Sequence, residues 1–222
     1  MRKWIPVLLI VIAFGASAAV YGELSDPMPT HWNLSGEVDG WTSLPWGAFM
    51  LPLMLAAMWG IFRILPLIDP RKANYAKFKG TYETLIITVM TFMVGVHLLV
   101  LANGLGYNVS LDRVTPMGVG VLLVVIGNIL PRTRPNWFVG IRTPWTLSSD
   151  RVWERTHRFG GHLFVAAGVV TVLVGVFAPA LAIPVLIGCS VAVSVGVLAG
   201  SYIIWKQDPD RNNPAAPSVG RR

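Results

Sequence analysis

The chain has 222 residues, of which 54% are hydrophobic and 13% are charged, against about 25% charged residues in a typical soluble domain. So few charged groups exclude an ordinary water-soluble domain, and lipid is the expected solvent. The net charge of +7 does not indicate direct nucleic-acid binding, because the basic residues cluster between apolar runs, as topology-setting residues do. The single cysteine, Cys189, excludes an intramolecular disulfide and a cysteine metal cluster.

Six apolar stretches are long enough, or nearly so, for membrane-spanning helices of about 20 residues. They cover residues 4–21, 46–68, 85–105, 114–130, 161–177 and 183–205. We therefore predict an all-α, polytopic membrane protein built as a six-helix bundle. Two membrane regions are expected, over residues 1–105 and 106–206, followed by a disordered cytoplasmic tail over residues 207–222. If Ala16, Ser17 and Ala18 mark a signal-peptide cleavage site, five spans remain.

Basic residues lie almost entirely on one side of the predicted membrane. The N-terminus, the second loop, the fourth loop and the tail hold two, four, six and four of them, whereas the three other connections hold one, Arg113. Cytoplasmic loops carry the excess of Lys and Arg. The sequence therefore predicts that both termini and the second and fourth loops are cytoplasmic.

The first outer loop, residues 22–45, has four carboxylates and no Lys or Arg. Residues 29–41 read PTHWNLSGEVDGW, which combines turn-forming residues with two tryptophans and a histidine. Three interpretations stay open: a lip that binds a cationic peptide, a cation site, and a structural cap over the bundle. The spacing matches no defined metal motif, so no metal is predicted. The predicted ligand-binding residues of this lip are His31, Trp32, Asn33, Glu37, Asp39 and Trp41.

The fourth loop, residues 131–161, is predicted to be cytoplasmic and is too long for a plain connection. Its second half indicates a short helix that begins near Ser149 and stops at Gly160 and Gly161. Arg151, Arg155 and Arg158 would share one face of it, typical of a basic amphipathic helix on an anionic leaflet. The alternative function is docking of a cytoplasmic partner. The residues predicted to bind that partner are Asn136, Arg142, Thr143, Trp145, Trp153 and Arg158.

Two strings give the chain a family resemblance. The outer string PTHWNLSGEVDGW resembles the N-terminal domain of unknown function found in SdpI-like proteins, and residues 131–148, PRTRPNWFVGIRTPWTLS, resemble the SdpI signature together with Trp153, His157, Gly160 and Gly161. The resemblance implies a six-span protein of the bacterial cell membrane. It also implies immunity to a secreted toxic peptide and signalling by holding a repressor at the membrane.

Other function classes find little support in the sequence. There is no nucleophile elbow, phosphate-binding glycine loop or His-Glu zinc motif, so neither catalytic residues nor a cofactor are predicted. His97 lies within the third span, where it either makes an interhelical hydrogen bond or serves a function.

The function expected from the sequence is therefore immunity to a membrane-active peptide toxin, with relay of toxin presence to a cytoplasmic regulator. The alternatives are a sensor that sequesters a transcriptional regulator without binding toxin, and a small-solute transporter that depends on His97. The sequence does not determine the oligomeric state.

Overall fold

A computed structural model describes residues 2–209 and 211 of the chain. Residue 210 and residues 212–222, which belong to the predicted disordered tail, lie outside the described residues. Within the described part, six helices are long and apolar enough to cross a membrane. They are α1 Ile5–Val20, α2 Trp46–Ile68, α3 Lys79–Gly104, α4 Leu111–Ile129, α6 Asp150–Phe177 and α7 Ala182–Lys206, with a short helix α5, Pro144–Ser148, before α6. The predicted six-span, mostly helical membrane fold is confirmed.

The first connection folds into a β-hairpin, where the sequence predicted only a turn-rich loop. Strands β1, Met28–Trp32, and β2, Val38–Thr42, pair in antiparallel fashion. The turn is stabilised by Asn33, whose Oδ1 accepts the backbone N–H groups of Ser35 and Glu37 at 2.9 and 3.0 Å. These short-range bonds favour a turn over an open loop. The end of the molecule that carries β1 and β2 is called the hairpin end below.

Helices α1, α2 and α3 pack into one bundle, and α4, α6 and α7 into a second. In the second bundle, α4 and α6 approach backbone to backbone. A Cβ atom on Gly127 would lie 2.7 Å from the carbonyl oxygen of Gly161, and a Cβ on Gly161 would lie equally close to that of Gly127. Small residues allow such close packing, which is the main attraction between helices in lipid.

The predicted helix stop at Gly160 and Gly161 is wrong. Helix α6 runs without interruption from Asp150 to Phe177, so the predicted surface helix and the fifth span are one element. Both glycines lie inside this helix at close contacts, Gly160 facing Ile141 and Gly161 facing Gly127. Their small size therefore serves packing and does not end the helix.

In the first bundle, a buried histidine joins all three helices. His97 of α3 is fully buried, and its Nε2 lies 3.0 Å from Ser17 Oγ and 3.2 Å from the carbonyl oxygen of Ala13, both on α1. Ser17 Oγ also donates to the carbonyl oxygen of Ala48 on α2 at 2.7 Å. His97 thus has the interhelical hydrogen bond that was one of its two predicted roles.

The end of the molecule opposite the hairpin carries the connection from α2 to α3 and the connection from α4 to α6, and is called the basic end below. The α2–α3 connection contains a 3₁₀-helix, Lys72–Phe78. There Tyr75, Phe78 and Tyr82 form a buried aromatic cluster, with ring centroids of Tyr75 5.2 Å from those of the other two. These aromatic residues, which lead into the third span, are therefore packed inside the bundle.

Candidate functional site

A cleft of about 540 Å³ lies at the hairpin end, between the two bundles. Its apolar walls come from four helices, namely α2 (Met50, Leu51, Met54), α3 (Val96, Val100), α4 (Leu111, Pro116) and α7 (Ile183, Leu186). Met50 and Met54 remain 44% and 52% exposed, so the cleft is open on the lipid-facing side of α2. Methionine side chains are flexible and adapt to varied apolar partners. The site can therefore accept an apolar segment that approaches from the bilayer.

The hairpin covers the cleft because both of its ends are held in place. Met28, at the start of β1, is fully buried and packs against Gly47 of α2 and Gly104 of α3. At the turn, Gly36 lies against Asp112 of α4, so closely that a Cβ there would be 2.6 Å from Asp112 Cγ. The hairpin therefore reaches from the first bundle to the second.

The mouth of the cleft is polar and acidic. Thr30, His31, Asn33, Asp112 and Thr115 line it. The connection from α1 to α2 and the first turn of α4 carry five carboxylates (Glu23, Asp26, Glu37, Asp39 and Asp112) and one cation, Arg113. Their formal charge is −4, from five negative charges and one positive. An apolar interior behind an acidic rim is complementary to a cationic amphipathic ligand.

The structure divides the six predicted lip residues into two groups. His31, Trp32 and Asn33 line the cleft. Glu37, Asp39 and Trp41 belong to the turn and to β2, and their side chains are exposed. The two groups are connected, because His31 Nδ1 pairs with Asp39 Oδ1 and Asn33 Nδ2 donates to Glu37 Oε2 at 3.1 Å.

These pairings also bear on the cation interpretation of the loop. His31 and Asp39 are partners of each other, whereas Glu37 is turned to Asn33. Among the described residues, no group of three or more His, Cys, Asp or Glu side chains is arranged to hold a metal ion. This end presents apolar walls, hydrogen-bonding groups and negative charge.

At the basic end, Asn136 organises from inside the loop of residues 131–148, which is called the signature loop below. Its side chain is fully buried. Oδ1 accepts the backbone N–H groups of Phe138 and Val139 at 2.9 and 2.7 Å, and Nδ2 donates to the carbonyl oxygens of Arg134 and Val139 at 2.8 and 2.9 Å. All four hydrogen bonds of this amide are satisfied within one turn of chain. Asn136 thus fixes the loop's conformation.

His157 of α6 holds the next part of the loop. It is fully buried and stacks on Trp153, with ring centroids 4.0 Å apart. Its Nε2 accepts the backbone N–H of Ile141 at 2.9 Å, and its Nδ1 donates to the carbonyl oxygen of Trp153 at 2.8 Å. The Ile141 contact requires an unprotonated Nε2, which assigns the neutral Nδ1–H tautomer. Gly140, with φ +118°, lies directly over this ring, where a Cβ would collide with Nε2.

Asp69, which no sequence motif singles out, ties the two bundles together at this end. Asp69, 2% exposed, accepts from the Tyr75 hydroxyl at 3.0 Å and from the backbone N–H of Trp137 at 2.9 Å. Next to it, Arg71 Nη1 contacts Asp150 Oδ1 at 2.7 Å. In the sequence, Asp69 stands out only as a single acid at the start of a basic loop. We call Asp69, Arg71 and Asp150 the latch, since they join the α2–α3 connection to the signature loop and to α6.

The six residues predicted to bind a partner are also divided. Asn136 and Trp153 are fully buried and Thr143 is 8% exposed, so these three stabilise the loop and do not present themselves to a partner. Arg142 and Arg158 are exposed and Trp145 is partly exposed. Arg142 donates to the carbonyl oxygen of Trp137 at 2.9 Å, and Trp145 lies 5.1 Å from Tyr202, ring to ring. Only Arg142, Trp145 and Arg158 are therefore accessible to a partner.

The comparison with known proteins agrees with this arrangement of motifs. Residues 132–205 match the SdpI/YfhL protein family. The resemblance to the SdpI family is confirmed. Residues 8–56, which include the hairpin, match a domain of unknown function, DUF1648. The chain is also 26% identical over 176 residues to immunity protein SdpI of Bacillus subtilis (strain 168), covering 79% of this chain and 82% of that protein. No solved structure matches the chain.

Proposed function

We propose that this SdpI-like protein gives a bacterium immunity to a secreted, membrane-active peptide by binding it in the cleft at the hairpin end. The observation that carries the proposal is the cleft itself, an apolar space of about 540 Å³ with an acidic mouth and an open, lipid-facing side. A peptide that kills by inserting into a bilayer first adsorbs on it. Occupation of the cleft would remove that peptide from the lipid surface.

The same geometry defines the class of peptide. Its apolar side chains would lie between Met50, Met54 and Leu186, and a cationic group would face Asp112 at the mouth. The exposed carboxylates of the hairpin would raise the local concentration of a cationic peptide, an effect that falls with ionic strength. His31, Trp32 and Asn33 would contact it along β1.

The proposal requires the hairpin end to face the outside of the cell membrane. The distribution of basic residues supports this orientation, since cytoplasmic loops carry the excess of Lys and Arg. A test uses Leu34→Cys and Trp137→Cys, two exposed positions at opposite ends, each in a Cys189→Ala background. A membrane-impermeant maleimide added to intact cells should label the Leu34→Cys variant alone; labelling of the Trp137→Cys variant alone would reverse the orientation.

A relay to a cytoplasmic regulator is the second part of the proposal. The bundles that form the two walls of the cleft are joined at the basic end by the latch, so a change in their separation would strain Arg71 and Asp150. Exposed Arg142 and Arg158 lie on the same signature loop and helix. They are the groups that we propose for regulator contact, and a sensor without toxin binding would use the same surface.

The deciding experiment is a survival assay in a sensitive bacterium exposed to cationic, membrane-active peptides secreted by related strains. The parent chain should protect, and Leu186→Trp should remove protection because a large ring would occupy the cleft. Leu198→Trp is the matched control, since Leu198 is on the same helix and 52% exposed to lipid. No protection by well-expressed parent chain against any such peptide, or full protection by Leu186→Trp, would refute the proposal.

A further inference from the structure

A second cavity lies at the basic end, also between the two bundles, and it has no part in the proposed peptide site. Its volume is about 160 Å³. One wall is formed by the α2–α3 connection and α3 (Phe78, Thr81, Tyr82, Leu85), the other by α4 and α6 (Ile126, Ile129, Leu130, Phe164), and the signature loop closes it (Thr133, Val139, Gly140, Ile141).

The burial of the lining residues shows where the cavity opens. Phe78, Tyr82, Ile129 and Leu130 are buried and form its floor, whereas Thr81, Leu85, Ile126 and Phe164 are partly exposed. The second group lies on the membrane-spanning parts of α3, α4 and α6. The mouth therefore faces the hydrocarbon of the bilayer.

Water is a poor occupant of this cavity. Two of the hydroxyls in its walls are already used, since Thr133 Oγ1 donates to the carbonyl oxygen of Leu130 at 2.8 Å and the Tyr82 hydroxyl donates to that of Phe62 at 2.6 Å. A buried water needs two to four polar partners, which these walls do not supply. A hydrocarbon chain needs none.

Exposed cations next in sequence to the lining residues favour one type of lipid. Lys77 and Lys79 flank Phe78, and Arg132 precedes Thr133; all three cations are exposed. Glu83 is the one carboxylate among residues 72–85, which leaves a net charge of +2 on these four groups, from three positive charges and one negative. Clusters of Lys and Arg at the headgroup level attract anionic lipids.

We infer that the cavity binds a segment of one acyl chain of an anionic phospholipid, whose headgroup phosphate is held by Lys77, Lys79 and Arg132. Lipid tails are as apolar as the side chains they would meet, so apolar contact alone gives no preference over the bulk bilayer. The preference comes from filling a gap between the bundles and from the three cations. The bound chain would serve as a filler that fixes the spacing of α3 against α4 and α6.

The experiment is native mass spectrometry of the full chain in mild detergent, titrated with phosphatidylglycerol and with phosphatidylcholine of identical chains. The parent should bind one phosphatidylglycerol at least tenfold more tightly than phosphatidylcholine. A triple variant with Lys77→Gln, Lys79→Gln and Arg132→Gln should abolish that preference, because each cation should raise the affinity for the anionic lipid roughly fivefold. Arg2→Gln, Lys3→Gln and Lys206→Gln together are the charge-matched control and should leave it intact.

A second variant tests the cavity independently of the charges. Leu85→Trp should fill it and reduce retention of both lipids at least fivefold, whereas Leu198→Trp, on a lipid-facing surface, should retain them as the parent does. If Leu85→Trp fails to fold, the triple variant at Lys77, Lys79 and Arg132 still tests the inference, because these side chains are exposed and their replacement should not disturb folding. Equal affinity of the parent for both lipids, an unchanged preference in the first triple variant, or full retention by a folded Leu85→Trp variant would overturn the inference.

Discussion

The two ends of the molecule use the same local chemistry in different surroundings. At the hairpin end, Asn33 Oδ1 accepts two backbone N–H groups of the turn that follows it. At the basic end, Asn136 Oδ1 accepts two in the same way. Asn136 is fully buried, whereas the bonds of Asn33 are exposed to solvent. The first motif is therefore accessible to the ligand that we propose, and the second holds the structure together.

This difference in burial means that the same residue type has different roles in the two motif strings. Both strings were predicted to supply binding residues, and residue type alone does not distinguish a presented Asn from a buried one. An exposed Asn can exchange its partners for water at little cost, whereas a buried Asn leaves unsatisfied groups behind when it is removed. The contrast predicts paired variants with unequal effects on stability.

The largest effect is expected for Asn136→Ala. It leaves the backbone N–H groups of Phe138 and Val139 without their acceptor, and each buried, unsatisfied group costs about 1–3 kcal/mol. We expect the free energy of unfolding to fall by about 4 kcal/mol, measured by titrating the protein in mild detergent with sodium dodecyl sulfate. The matched variant Asn33→Ala should lose about 1 kcal/mol or less. Equal losses would mean that burial does not distinguish the two loops.

The parts of the fold that depend on local composition could be predicted from the sequence. The six spans follow from hydropathy over about 20 residues, and α2 was predicted to the residue. The continuity of α6 was not predicted, because Gly160 and Gly161 are helix-breaking by propensity, and Gly161 becomes favourable only where Gly127 packs against it. That contact joins residues 34 positions apart in the sequence, and a single chain does not reveal it.

The next prediction concerns two of the three glycines that have positive φ among the described residues, one at each end. Gly140 has φ +118° and Gly36 has φ +79°, conformations that cost a side chain about 1–3 kcal/mol. A Cβ on Gly140 would also meet His157 Nε2, which is fixed by its two hydrogen bonds and by Trp153. A Cβ on Gly36 would meet Asp112 Cγ and Cβ, and this contact can be relieved only if the exposed hairpin turn moves away from α4.

We therefore expect Gly140→Ala to lower the free energy of unfolding by about 3 kcal/mol, and Gly36→Ala by about 1 kcal/mol, in the same detergent titration. Gly36→Ala should instead displace the hairpin from Asp112 and weaken protection in the survival assay. A Gly36→Ala chain that is as unstable as Gly140→Ala would show that the hairpin is structural in the same sense as the signature loop.

The candidate site was predicted only in part, for a physical reason. His31, Trp32 and Asn33 stand together in one loop, so their chemistry is visible in a short string. The cleft that they border is formed by α2, α3, α4 and α7, whose lining residues look like ordinary lipid-facing positions in the sequence. Asp69 was missed similarly, because its role depends on Trp137, which lies 68 residues away.

The smallest effect separates the ion pairs of the two ends. Arg71 and Asp150 are 33% and 37% exposed, whereas His31 and Asp39 are 72% and 44% exposed. Exposed pairs contribute about 0–1 kcal/mol, since water and salt screen them. A double-mutant cycle on Arg71→Ala and Asp150→Ala should give a coupling energy of about 0.5–1 kcal/mol, and the cycle on His31→Ala and Asp39→Ala should give nearly zero. Because the latch joins two bundles and the His31–Asp39 pair lies within one hairpin, a reversed order would mean that the hairpin, and not the basic end, carries the electrostatic part of the fold's stability.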